Sequence, residues 1–182
     1  MIIAITGASG AQIAVRLLEI LKEKEIKVEL IVSKIAEIII NTETEYTVAD
    51  IRKLATKNYD FDDLAAAPAS GSYKFDAMVI VPCTMKTLAA IANGMADNLI
   101  TRAADVTIKE RRKLILVVRE SPFSAIHLEN MLKLARLGVI IAPPIPSYYI
   151  KPKSVEELIE HSVGRILDQL GIESNIKRWG ED

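Results

Sequence analysis

The chain opens with an unbroken apolar run, Ile2-Ile3-Ala4-Ile5, that stops at Thr6-Gly7-Ala8-Ser9-Gly10. The run is too short for a helix and rich in β-branched residues, so it predicts a buried strand. From Ile13 the period changes. Ile13, Leu17, Leu18 and Leu21 recur at helical spacing and predict a helix from about Ala11 to Lys24. The same alternation continues. Strands are predicted at Val28 to Val32, Ala77 to Val81, Lys113 to Val118 and Val139 to Ala142. Helices are predicted from Ile35 to about Asn41, with Glu43 just beyond, then from Val48 to Thr56 and around Leu88, Ile91 and Ala92. Further helices are expected over Leu99 to Lys109 and His127 to Leu137, and from a Ser154 cap to about Leu170. Residues Asn58 to Ser72 read as a loop with a short strand near its start. Strands alternating with helices give an α/β fold: a three-layer, doubly wound (Rossmann-like), mostly parallel sheet flanked by helices, in one domain over residues 1–182. Ala77 to Val81, apolar throughout, is placed at its centre.

Such sheets bind ligands beyond the carboxyl ends of their strands. Those ends are Gly7 to Gly10, Ser33, Cys83 to Thr87, Arg119-Glu120, and the proline loop leading to Tyr149. At the first, a glycine turn opens a helix, whose unpaired N–H groups and dipole favour a phosphate. Ser9 adds a hydroxyl there.

Composition narrows the field. A net charge of −1 gives no electrostatic case for nucleic acid or an anionic membrane. One cysteine, Cys83, excludes an internal disulfide and points to a reducing, cytoplasmic setting. Two histidines without close carboxylate spacing suggest no metal site. No apolar run approaches the roughly 18 residues of a membrane span, and no signal peptide is expected.

The turn is not the nicotinamide fingerprint. It lacks the third glycine of G-x-G-x-x-G, and the second strand ends in Ser33 rather than an acidic residue. Tyr149 and Lys153 have the spacing of a short-chain dehydrogenase pair, but Pro152 lies between them. Flavin mononucleotide (FMN) fits better, because one phosphate can be met by hydroxyls at several strand ends: Ser9, Ser33, Thr84 and Thr87.

The residues match a family along essentially the whole chain. The segments are Thr6-Gly7-Ala8-Ser9-Gly10-Ala11, Ser33-Lys34, Thr42-Glu43-Thr44, Pro68-Ala69-Ser70-Gly71-Ser72, Pro82-Cys83-Thr84, 98–106, Lys109-Glu110-Arg111-Arg112, 119–124, 127–134 and Arg178-Trp179-Gly180-Glu181. The chain resembles the UbiX/Pad-type flavin prenyltransferases, which have a flavoprotein-type fold. The resemblance implies transfer of a dimethylallyl group from dimethylallyl monophosphate to N5 and C6 of reduced FMN. The product, prenylated FMN, serves UbiD-type decarboxylases. It implies that Gly7, Ala8, Ser9, Ser33, Thr84, Met85, Lys86, Thr87 and Arg102 hold FMN. Tyr149 and Arg165 would hold the prenyl phosphate, with Ser70, Lys109 and Arg119 close by. Glu43 and Glu120, with Lys109, would be catalytic, and the reaction metal-free. It also implies a homododecamer with the flavin at a subunit junction; Met95, Ile100 and Met131 are the segments expected to be exposed in a monomer.

These residue types suit the chemistry. Cationic and hydroxyl donors stabilise charge building on a departing phosphate. A glutamate in a half-apolar cleft is expected to have a raised pKa and to act first as an acid. Plain structural roles stand beside these. Lys109 lies in a charged run, Arg165 can pair with Asp168 or Glu160, His127 reads as a packed or capping residue, and Cys83 as buried. Three departures are visible: Thr84-Met85-Lys86-Thr87 stands where the family often has Ser-Thr-Gly-Thr or Ser-Met-Lys-Thr, Leu64 stands where some members carry tryptophan, and residues 45–64 are shorter than in many members. The rival readings are an FMN-dependent cysteine decarboxylase, a non-catalytic FMN carrier and an aromatic acid decarboxylase. The first would need a histidine after the first helix, and residues 34–75 contain none.

Overall fold

The computed structural model describes residues 1–180. Glu181, which ends the last matching segment, lies outside them. Six strands form one sheet in the order β3-β2-β1-β4-β5-β6. They are β1 (Ile2–Ile5), β2 (Glu29–Val32), β3 (Lys57–Tyr59), β4 (Ala77–Cys83), β5 (Lys113–Val118) and β6 (Ile140–Ile141), and every neighbouring pair is parallel. The helices are α1 (Ala11–Glu23), α2 (Lys34–Glu43), α3 (Val48–Arg52), α4 (Met85–Ala92), α5 (Leu99–Lys109), α6 (Ala125–Arg136) and α7 (Val155–Leu170).

The sheet is buried on both faces, so its strands divide their side chains between two cores. Ile2, Ala4, Met78 and Ile80 pack with Leu88, Ile91, Leu99 and Ala103 of α4 and α5. Ile3, Ile5, Val79 and Val81 pack with Leu17 and Leu18 of α1, Ala36 of α2 and Val163 and Leu167 of α7. This is the expected three-layer sheet, and it is parallel throughout.

Three local expectations change. The helix expected over Val48 to Thr56 stops at Arg52, because the amides of Thr56 and Lys57 bond to the Val28 carbonyl and turn the chain into β3. Glu43 is the last residue of α2, not a residue beyond it. Ile100 is buried, 1% exposed, on the face of α5 that meets the sheet, whereas Met95 is 58% exposed.

The two central strands are joined past their ends by one side chain. The Thr6 hydroxyl donates to the Pro82 carbonyl (2.8 Å) and accepts from the Thr84 amide (2.9 Å). The Thr6 amide also donates to Pro82 O at 3.2 Å. Thr6 is buried, so a lost bond is not replaced by water. Thr6→Val is therefore expected to lower stability by about 1–3 kcal/mol, the range for a buried polar group left unpaired. Thr6→Ser, which keeps the hydroxyl, should recover most of it in denaturant unfolding.

Candidate active site

The strand order reverses between β1 and β4, and the crevice of a doubly wound sheet lies there. Three helices start around it. Gly10, at φ 109°, leads into α1; its left-handed backbone suits glycine. Ser33 caps α2, its hydroxyl accepting from Ala36 N at 3.2 Å. Thr84 caps α4, accepting from Thr87 N (3.1 Å) and donating to the Thr87 hydroxyl (3.0 Å). Gly7 lets α2 approach: a Cβ there would stand 2.3 Å from Ile35 Cγ2 and 2.7 Å from Ile35 Cβ. Gly7, Ala8, Ser9, Ser33, Thr84, Met85 and Thr87 are half-buried and Lys86 is exposed, so the first turns of α2 and α4 are open to a ligand. A phosphate suits that donor set.

The start of α1 is different. The Glu43 carboxylate accepts from Gly10 N (2.8 Å) and Ala11 N (3.0 Å). The α1 N-terminus expected to receive a phosphate already holds a carboxylate from α2. Burial pushes the Glu43 pKa up, but hydrogen bonds from Ser9, Gly10 and Ala11 and the charge of Arg119 outweigh it and leave the pKa lowered. The raised pKa expected for this glutamate is therefore corrected: Glu43 is held ionised.

Arg119 and Glu120 follow β5. The Arg119 amide bonds to Cys83 O at 3.2 Å, which extends the β4–β5 pairing to the crevice. Both side chains are exposed, and Glu120 Oε1 accepts from Ser121 N at 2.9 Å. Cys83 is fully buried and burial pushes its thiol pKa up, so it is a packing residue. His127 accepts from Ser124 N through Nδ1 at 3.2 Å and closes the capping box of α6.

Two other groups of expected site residues have their contacts elsewhere. Arg102 donates to Ala69 O (3.0 Å) and pairs with Asp105 (2.7 Å) rather than with the Thr84 turn. Ser70 bonds Ser72, and Lys109 pairs with Glu110 beside Gly71. Lys109 ends α5 and lies four positions before β5 begins, near the amino end of the sheet. Thr84 lies past the carboxyl end of β4, so at about 3.3 Å per residue the length of that strand separates the two within one subunit.

The third group is at α7. The Tyr149 hydroxyl is 3.1 Å from His161 Nε2, and its ring meets His161 and Trp179 edge to face. Arg165 pairs with Asp168 (2.9 Å), as its spacing allowed, and Arg178 reaches the same carboxylate through two bonds of 2.8 Å. The Arg178 bonds, against the cost of burial, and those from Ser174 and the Arg165 charge hold Asp168 at a pKa of about 2.

Thr6 and His161 were given no role by sequence reasoning, and Asp168 entered only as a candidate partner of Arg165. His161 carried a faint signal: with Gly164 and Leu167 it falls at helical spacing on the buried stripe of α7. Thr6 carried none beyond following the first strand and opening the first matching segment.

The profile of the Flavoprotein family matches residues 1–167. The chain is 56% identical over 181 residues to the flavin prenyltransferase UbiX of Methanocaldococcus jannaschii, covering 99% of this chain and 98% of that protein. It superposes with a TM-score of 0.97 and 46% identity on the crystal structure of AnUbiX in complex with FMN and dimethylallyl pyrophosphate, covering 100% of this chain and 97% of that one. A dodecameric FMN-dependent UbiX-like decarboxylase from Escherichia coli O157:H7 gives a TM-score of 0.96 at 46% identity, with 99% and 98% covered. With its crevice at the β1–β4 reversal and this likeness along its full length, the chain belongs to the flavoprotein family and, within it, to the UbiX/Pad-type flavin prenyltransferases.

Proposed function

We propose that the crevice takes reduced FMN as acceptor and dimethylallyl monophosphate as donor, and joins the dimethylallyl group to N5 and C6 of the flavin. The observation that carries this reading is the convergence of the Ser33 and Thr84 helix starts with Ser9, Glu43 and Arg119 at one sheet edge. A flavin phosphate fits the open first turns of α2 and α4, with Ser33, the Thr84 to Thr87 turn and the Gly7-Ala8-Ser9 backbone as its ligands. Gly10 N and Ala11 N are already taken by Glu43.

The chain's own groups divide the work. Arg119, Arg165, Lys109, Tyr149 and Ser70 meet the prenyl phosphate, where cations and hydroxyls stabilise the charge of the leaving group. Glu43, ionised, offers negative charge to an electron-poor prenyl carbon and orients Ser9. Glu120, exposed and held by one bond from Ser121 N, is the group assigned to the proton that must leave the ring carbon. Ser70 and Lys109 join this site from a neighbouring subunit of a homododecamer, and Arg102 braces the loop that presents them. Exposed apolar residues on α6 (Ile126, Leu128 and Leu132, all above 50%) supply surface for such contacts. The product would pass to a UbiD-type decarboxylase. Among the described residues no helix is long and apolar enough to cross a membrane.

The test is anaerobic. Reduced FMN and dimethylallyl monophosphate are incubated with the protein, and the extracted flavin is weighed by mass spectrometry. A gain of one five-carbon unit is expected, abolished or cut at least a hundredfold by Arg119→Ala or Glu120→Ala, the scale of lost electrostatic or proton-transfer catalysis. Unmodified FMN from wild-type protein under strict reduction would return the chain to the carrier or cysteine decarboxylase reading.

A second prediction follows from the lowered Glu43 pKa. A carboxylate depressed on folding contributes stability that is full above its unfolded pKa of about 4.3 and is lost as pH falls through the folded value. Glu43→Gln should therefore be less stable than wild type near neutrality. The gap should close as pH drops below about 4.3, measured by urea unfolding at a series of pH values. A gap independent of pH would show that the carboxylate is not the stabilising form.

A further inference from the structure

One buried titratable side chain has no part in the reaction as proposed above. His161, on the second turn of α7, is 5% exposed. Its Nε2 lies 3.1 Å from the Tyr149 hydroxyl, and the two rings meet at 84° with centroids 5.7 Å apart. Lys177 closes the other side: the Tyr149 hydroxyl is 3.5 Å from its carbonyl. Trp179 packs edge-on against the same tyrosine at 5.5 Å. Tyr149 itself belongs to a single 3₁₀ turn, Tyr148–Ile150, after a proline loop. Such a turn does little to fix a side chain. The shorter of its two hydrogen bonds and one of its two ring contacts come from α7, through His161.

We propose that His161 is a positioning residue for prenyl phosphate binding: it holds the Tyr149 ring and aims its hydroxyl at the phosphate. This rests on the reading of Tyr149 as a phosphate ligand. Burial, then the positive charge of Arg165, lowers the His161 pKa, so the imidazole is neutral near neutral pH. A neutral imidazole with its proton on Nε2 donates to the tyrosine oxygen. The Tyr149 O–H, which donates to the Lys177 carbonyl over a long 3.5 Å, can then turn to a phosphate oxygen, and the neutral ring adds no cation that would compete with Arg165. A tyrosine held in place before the substrate arrives loses less rotamer freedom on binding.

The test measures affinity for dimethylallyl monophosphate by calorimetry on FMN-loaded protein, beside the affinity for FMN itself. His161→Leu should weaken prenyl phosphate binding by roughly three- to tenfold, the worth of one net hydrogen bond, with FMN affinity unchanged. His161→Gln, which can still donate to the tyrosine, should restore it. In a Tyr149→Phe background His161→Leu should add nothing, because the hydroxyl it serves is gone. In the folded wild-type protein the His161 ring ¹⁵N resonances should move when dimethylallyl monophosphate is added, and stay still in Tyr149→Phe. That measurement decides the matter even if His161→Leu fails to fold.

Wild-type affinity in His161→Leu, with Tyr149→Phe weakened, overturns the role of His161 and leaves Tyr149 as a ligand. Equal weakening in His161→Leu and His161→Gln, with a falling thermal midpoint, assigns His161 to packing alone and also overturns it. Normal binding by Tyr149→Phe overturns the phosphate role of Tyr149, and the inference with it, through a separate arm.

Discussion

The buried hydroxyl of Thr6 holds the crevice together. β1 and β4 pair along their length, but pairing ends where the chains diverge toward α1 and α4. A ligand site at that divergence needs the two turns held at a fixed separation, and Thr6 does this with one atom that donates to Pro82 and accepts from Thr84. Everything at the crevice inherits that spacing. The Thr84 cap sets where α4 begins, and the Gly7 turn sets how near Ile35 and the start of α2 can come. A valine of the same shape would keep the packing and lose the spacing, which is why shape alone does not account for a threonine here.

Glu43 shows how the same edge sorts its helix starts. An N-terminus attracts any anion, and α1 has received one from within the chain. The carboxylate is ionised because its donors and Arg119 outweigh its burial. On the reading proposed above, the flavin phosphate is left with the starts of α2 and α4, whose caps are hydroxyls. A glutamate held by two backbone amides loses that stabilisation when it is protonated.

The legible part of the site was the part carried by local sequence. The glycine turn, the hydroxyls that cap α2 and α4, the buried strand β4 and the capping serine of α7 each depend on neighbours a few residues away, and each stands where the pattern put it. What escaped depends on residues far apart in the chain. Thr6 meets Pro82 and Thr84, Glu43 meets Gly10, Arg102 meets Ala69, and Val28 captures Thr56 to end α3 early. A period of hydrophobicity carries no information about such pairs. Ile100 was misplaced for a related reason: one isoleucine in a helix does not say which side faces the sheet until the sheet is there.

On the reaction proposed above, the grouping of side chains argues for assembly as part of the chemistry. A leaving phosphate needs cations kept from water, because an exposed charge in high dielectric stabilises little. Within one subunit Arg119 and Glu120 are exposed, Lys109 is engaged with Glu110 some distance away, and Arg165 leans on Asp168. None of these is yet in a dry site. Covering the crevice with a neighbour would bury Arg119 and Glu120 and could deliver Lys109 and Ser70 in the same step. The braces seen in the isolated subunit then make sense: Arg102 and Arg112 hold the carbonyls of Ala69, Gly71 and Tyr73, so the loop carrying Ser70 is already rigid before it meets a partner. A loop shaped in advance loses little entropy on docking, and the binding energy of the interface is then available to hold charges in place.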